Sequence, residues 1–76
     1  MAFHNAFKYR GYTLDCEPVR WSDDCFIAQV VISREAGEAL DEYPFPNLCI
    51  RHSAPSAAQF AKDWGRQWVD ARKSRQ

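Results

Sequence analysis

Glycine and methionine are scarce in this chain, at three and one residues, and its three cysteines are an odd number with no CxxC pair. Gly11, Gly37 and Gly65 stand alone, so no Gly-rich loop is present to cradle a phosphate. Cys16, Cys25 and Cys49 are spread one to each candidate strand, which excludes a disulfide framework. Neither sign of charge dominates, with 10 Lys/Arg against 10 Asp/Glu. Long apolar runs are also missing: none approaches the ~20 residues a membrane-crossing helix needs. Within residues 1–12, His4, Asn5, Lys8 and Arg10 interrupt the apolar residues, so no secretory h-region is expected and the cytoplasm is the expected location. There is no repeat, low-complexity tract or Gly/Ser linker. One domain over 1–76 is expected, with 1–7 and 73–76 as tails.

What is present suits a small soluble globular domain. The chain has 76 residues, of which 46% are hydrophobic, 14% aromatic and 26% charged. That is too apolar for disorder. At this length folding buries roughly 60% of the chain's surface, so a deep substrate cleft would compete with a thin core for apolar side chains.

Tyr9 to Cys16 mixes aromatics, Thr and Leu and is closed by Glu17-Pro18, which predicts a first strand. Arg20 to Asp24 is polar around Trp21 and contains Ser22-Asp23-Asp24, a turn composition. Cys25 to Ser33 is β-branched and nearly continuously apolar, the clearest strand. Glu35 to Tyr43 has helix-favouring residues limited by Gly37 and Pro44 and is read as an excursion loop with at most one helical turn, so that 35–46 has no assigned role. Asn47 to His52 alternates as a third strand. Ser53 and Pro55 then open a helix, Ser53 by capping free N–H groups. In it Ala57, Phe60, Ala61, Trp64, Trp68 and Ala71 recur at helical spacing against Gln59, Lys62, Asp63, Arg66, Gln67 and Asp70.

Side chains alternate across a strand, so residue parity decides what points inward. Phe26, Ala28, Val30 and Ile32 share a face, as do Tyr12, Leu14 and Cys16, and Leu48 and Ile50. Packed under Phe60, Trp64 and Trp68, these define an α+β fold: a three-stranded antiparallel sheet with one C-terminal amphipathic helix on one face, β-β-β-α. Tyr9, Ile27, Val31 and Cys49 fall on the opposite face, which is apolar for open water and forms a candidate contact surface. Trp21 either folds back over the core edge or stands exposed as a contact anchor of that surface.

Tyr9-Arg10-Gly11-Tyr12, the strand Phe26 to Arg34, and the helix end Gly65-Arg66-Gln67-Trp68-Val69-Asp70 resemble a family of short proteobacterial proteins of Burkholderia type. The resemblance covers residues 9–72 and implies a small ββ(β)α fold. It carries no functional residue to transfer. More loosely, the pattern is similar to HicB-type antitoxin domains, which also lay a helix across a small sheet, although no strand is recognisable here after the helix.

Three constellations could carry chemistry. Cys16, Cys25, Cys49 and His52 would make a Cys₃His zinc set if they converged. Parity sends Cys16 inward and Cys25 and Cys49 outward, and Cys49 and His52 leave opposite sides of a regular strand, so buried or half-buried thiols are expected instead. Nucleophilic catalysis would have to pair Cys49 with His52 or His4, with no oxyanion hole in view. Asp23-Asp24 lacks the further spaced ligands of a calcium loop. No enzyme activity, metal or cofactor is expected.

Charge placement says more than net charge. Residues 1–14 carry +2 from Lys8 and Arg10; residues 15–42 carry −6, eight acids against Arg20 and Arg34; residues 43–76 carry +4, six bases against Asp63 and Asp70. Arg66, Arg72, Lys73 and Arg75 gather at the helix end, where cations complement the helix dipole. Two functions fit. The first is a non-enzymatic protein-interaction module, self-associating or docking on another protein through Trp21, Ile27, Val31 and Cys49. The second is a nucleic-acid-binding accessory domain using Arg66, Arg72, Lys73 and Arg75, although a neutral chain lacks the cationic excess that phosphate binding rewards. No membrane partner is expected.

Overall fold

The structure is a computed structural model and describes residues 5–74. It contains β1 (Ala6–Tyr9), β2 (Tyr12–Asp15), β3 (Val19–Ser22), β4 (Cys25–Ala36), β5 (Ala39–Arg51) and α1 (Ala54–Ser74). The fold is α+β, with an antiparallel sheet and one C-terminal helix, and the sheet has five strands rather than the expected three. β5 pairs one edge of β4 over nearly its whole length, so β2 (against Val31–Ser33) and β3 (against Cys25–Ile27) must share the other edge. The sheet is therefore four lanes wide and runs as a meander.

Each extra strand has a local cause. Arg10-Gly11 is a two-residue hairpin turn between the paired residues Tyr9 and Tyr12, with φ of 51° and 87°. Positive φ at both central positions is the primed turn that matches strand twist. It splits the expected first strand and creates β1, so Ala6 and Phe7 are strand residues rather than tail. Tyr9 and Tyr12 consequently share a face, and Tyr9 packs on the core instead of opposite it. Val19–Ser22 pairs with β4 and breaks register between Arg20 and Ser22.

The segment 35–46, expected as a loop, is the far half of a long hairpin. Gly37, at φ 67°, starts a two-residue turn between Ala36 and Ala39, and β5 then alternates Tyr43 and Phe45 inward with Pro44 and Pro46 exposed. Prolines are tolerated because β5 is an edge strand, where the donorless nitrogen can face away from β4. Between Ala28 and Val30 the register shifts, since Ala28 pairs Cys49 while Val30 pairs Phe45, and Asn47 in this bulge adopts φ 58°. The register places Cys49 beside Ala28 on the helix side and turns Ile50, paired with Ile27, to the other side. Both reverse the assignment by parity.

The core is Tyr12, Leu14, Cys16, Ala28, Val30 and Ile32 from the sheet, closed by Ala57, Ala61 and Val69 from the helix. Ser53 caps α1, its Oγ accepting from the Ser56 N–H at 3.2 Å. Residues 73 and 74, expected as tail, complete the helix. The line of α1 closest to the sheet is made of small residues, Ala57, Ala61, Gly65 and Val69 at every fourth position, whereas Ala71 is exposed. A Cβ on Gly65 would lie 2.5 Å from Leu14 Cδ2, so the absent side chain sets the helix–sheet distance. The half-buried Trp64 and Trp68 flank this line and meet Phe45 and Tyr43 of β5, with ring centroids 4.7 to 5.6 Å apart. Such pairs add ~0.5–1.5 kcal/mol each beyond burial.

Candidate functional site

The sheet face away from the helix is built by the register. Val19 pairs Ile27 and Ile27 pairs Ile50, so three aliphatic side chains form a row across β3, β4 and β5. Val19 is 42% exposed and Ile50 50% exposed. Val31 lies on the same face between Asp15 and Pro44. Trp21 is 63% exposed at the β3 bulge, so it does not fold over the core. Of the four residues proposed from sequence, Ile27 and Val31 belong to this face, and Trp21 stands exposed at the end of β3. Cys49 packs against the core cluster and also lines a shallow groove with Ile27, Asn47 and Ile50. Sequence reasoning missed Val19 and Ile50. The signal for Ile50 lay in the Pro46-Asn47 bulge, which a regular alternation ignores.

Farther along the same face, Lys8, Thr13, Ser33 and Glu42 form a polar row crossing all four lanes, each residue the Cα partner of the next. Lys8 and Glu42 at its two ends are exposed. A groove beside this row is lined by Gly11, Glu35 and Leu40.

The helix-end cations do not form one open patch. Arg66 bonds Asp63 at 3.1 Å and lies over the Phe7 ring, on the β1 flank. Arg72 donates to the Tyr43 hydroxyl at 3.2 Å and covers Tyr43 and Trp68, on the β5 flank. Lys73 sits 5.7 Å over Tyr12, whose ring also carries Arg34 at 5.5 Å. These cations thus roof the aromatic end of the core, with stems and charge both engaged. Arg75 lies outside the described residues.

Asp70 ties the first hairpin to the helix. It accepts from the Tyr9 hydroxyl at 2.9 Å and from Arg10 at 2.7 Å. These bonds favour the charged carboxylate and hold Asp70 below the usual range, while the same bond to Asp70 raises the Tyr9 phenol.

The cysteines do not converge. Cys16 and Cys49 face the helix from lanes two spacings apart, roughly 9–10 Å, and Cys25 pairs Ser22 elsewhere. His52 approaches the Asp24 carbonyl with its Nδ1 at 3.3 Å and is not held against Cys49; His4 lies outside the described residues. Among the described residues no three His, Cys, Asp or Glu side chains are grouped to hold a metal ion. Burial pushes the Cys16 thiol up to about 11, which leaves it a poor nucleophile near neutrality. No described helix is long and apolar enough to cross a membrane. No protein-family model, curated protein or solved structure matches the chain.

Proposed function

We propose that this chain is a non-enzymatic protein-interaction module, resident in the cytoplasm, whose docking surface is the sheet face away from the helix. One observation carries the reading: the aliphatic row Val19, Ile27 and Ile50 lies on a face that no described element covers. Leaving such side chains in water forgoes ~25 cal/mol for each Å² that a partner would bury. Edge pairing is the less favoured route. Pro44 and Pro46 leave this edge strand without two of its backbone donors, which blunts it as a template.

Less supports the nucleic-acid reading, since Arg66 and Arg72 leave opposite flanks of α1 and each already covers an aromatic ring. The test compares wild type with Val19→Lys/Ile50→Lys by sedimentation at rising concentration and by capture from lysate. The reading requires an association, with self or with another protein, that the double variant loses. Anisotropy titration with single- and double-stranded oligonucleotides at low salt is expected to show no binding. A salt-sensitive shift there, with no protein association, would replace this reading with its rival.

A further inference from the structure

The two rows on the outer face differ in chemistry but share one symmetry, and that symmetry names an occupant. Lys8 on β1 and Glu42 on β5 end the polar row in the two outermost lanes, with Thr13 and Ser33 between them. Consider a second copy laid face to face, related by a two-fold axis parallel to the strands above the gap between β2 and β4. Lane one then lies over lane four, and lane two over lane three. Lys8 of each copy meets Glu42 of the other, giving two opposite-charge pairs, and Thr13 meets Ser33. The same axis sets Val19 over Ile27 of the second copy, and Ile27 over its Val19. The other in-plane two-fold, perpendicular to the strands, exchanges rows and keeps lanes, so it brings neither match.

We propose that the partner of this face is a second copy of the chain, in a face-to-face, two-fold symmetric dimer closed by Lys8–Glu42 pairs at both rims and the Val19/Ile27 row inside. The proposal rests on the docking reading above and goes further by naming the occupant. Isologous closure of this kind leaves no surface for continued growth. Under this two-fold the rim lanes overlap only along the four residues of β1, and the two central lanes along about ten, so with ~4.8 Å between lanes and ~3.4 Å per residue the shared face is roughly 450 Å² per copy. Twice that, about 900 Å², lies below the ~1,200–2,000 Å² of stable specific interfaces and in the range of weak, transient ones. Asp15, paired with Val31 on the same face, is set against Val31 of the second copy. A carboxylate against an aliphatic side chain costs desolvation, so the dimer is a weak one whose strength depends on the rim pairs.

The experiment is sedimentation equilibrium on wild type, Lys8→Glu, Glu42→Lys and the double exchange, at low and high salt. Lys8 and Glu42 are exposed strand residues, and circular dichroism checks that each variant keeps the fold. A concentration-dependent dimer is expected. Either single exchange turns two attractive pairs into two repulsive ones and weakens the dimer ~10-fold or more at low salt. The double exchange restores it to within about threefold. Asp15→Thr tightens it. A wild type that stays monomeric to millimolar concentration overturns the dimer. So does a dimer indifferent to both single exchanges, or one that the double exchange fails to restore. If such a monomer nonetheless captures another protein through Val19 and Ile50, the docking reading survives and this assignment of its partner does not.

Discussion

The two faces of the sheet are made by the same strands with the same alternation, yet they meet different surroundings. On one face Leu14, Val30 and Ile32 are fully buried beneath a helix whose nearest line is alanine, glycine and valine. On the other, Ile50 is half exposed, and Ile27 and Val31 are only partly covered by their neighbours in the sheet. Isoleucine occurs on both, so residue type does not distinguish them. The difference lies in what stands opposite. The first face contributes to folding of the single chain, and the second is the one we propose to meet a partner. Small helix residues allow close approach on the first face, and the aromatics that reading by size puts at the centre of the core, Trp64 and Trp68, serve instead as flanks.

This contrast breaks most readily by truncating one aliphatic residue on each face. Leu14→Ala removes a fully buried side chain from the centre of the core and is expected to destabilise by ~2–5 kcal/mol. Ile50→Ala is expected to change unfolding by less than ~0.5 kcal/mol in dilute protein, where association does not contribute. Urea unfolding monitored by tryptophan fluorescence measures both. Equal losses at the two positions would mean that the outer row is part of the folding core after all, and the division of labour between the faces would fall.

Next in size is the contact that sets the helix–sheet distance. Gly65→Ala improves helix propensity by ~1 kcal/mol, but its Cβ meets the fully buried Leu14 at 2.5 Å, where neighbours leave little room to move. Overpacking costs ~1–3 kcal/mol, so a net loss of about 1 kcal/mol is expected. Pairing it with Leu14→Val should recover part of that loss in a double-mutant cycle. A stabilised Gly65→Ala would show that the helix can lift from the sheet cheaply.

How much of this was legible depends on whether local signals agreed with tertiary ones. The helix from Ser53 onward and the strand from Cys25 carried strong periodicity, and the structure has both. Tyr12, Leu14, Ala28, Val30 and Ile32 were readable as core because those strands run without a break. Errors came where a turn or bulge interrupts counting. Arg10-Gly11 reverses the chain inside what reads as one strand, and the Pro46-Asn47 bulge exchanges the faces expected for Cys49 and Ile50. Segment 35–46 was misread because Glu, Ala and Leu favour helix locally, while pairing with β4 and the inward Tyr43 and Phe45 decide for strand. The apolar character of the outer face was visible in Ile27 and Val31. Val19 was hidden because its strand is only four residues long and mostly exposed, and depends on β4 for its pairing. The basic helix end was legible as composition, but its division between two flanks follows from side-chain packing that spacing alone does not encode.

The thiols offer a finer probe of the same contrast. Cys16 is fully buried on the helix face, whereas Cys25 and Cys49 are half-buried. In native protein a disulfide reagent is expected to modify Cys25 and Cys49 readily, and Cys16 only at the rate at which the core opens, which mass mapping after a timed quench would read. Labelling of all three at one rate would contradict the burial of Cys16.

The effects of pH take opposite signs at the two ends of the scale. Asp70 is held below its ordinary value by Arg10 and Tyr9. Its contribution is therefore complete above the ordinary carboxylate pKa near ~4 and is lost as pH falls through the lowered folded value. Cys16 behaves in the reverse way. Its pKa in the folded chain rises from 9.0 to about 11, so the unfolded thiol ionises first. The stability that Cys16 lends is whole below pH 9, declines between 9 and 11, and changes no further above that. Tyr9, raised by its bond to Asp70, adds a decline that begins near pH 10. A plateau from about pH 5 to 9 is expected, with a declining limb on each side. Asp70→Asn should flatten the acid limb and leave the onset at pH 9 in place, because the clamp is exposed while the thiol is in the core. Cys16→Val should do the opposite, removing the first part of the alkaline limb and sparing the acid one. Urea midpoints at unit pH steps separate the two, and an alkaline limb unchanged in Cys16→Val would show that the buried thiol is not what the rising pH titrates.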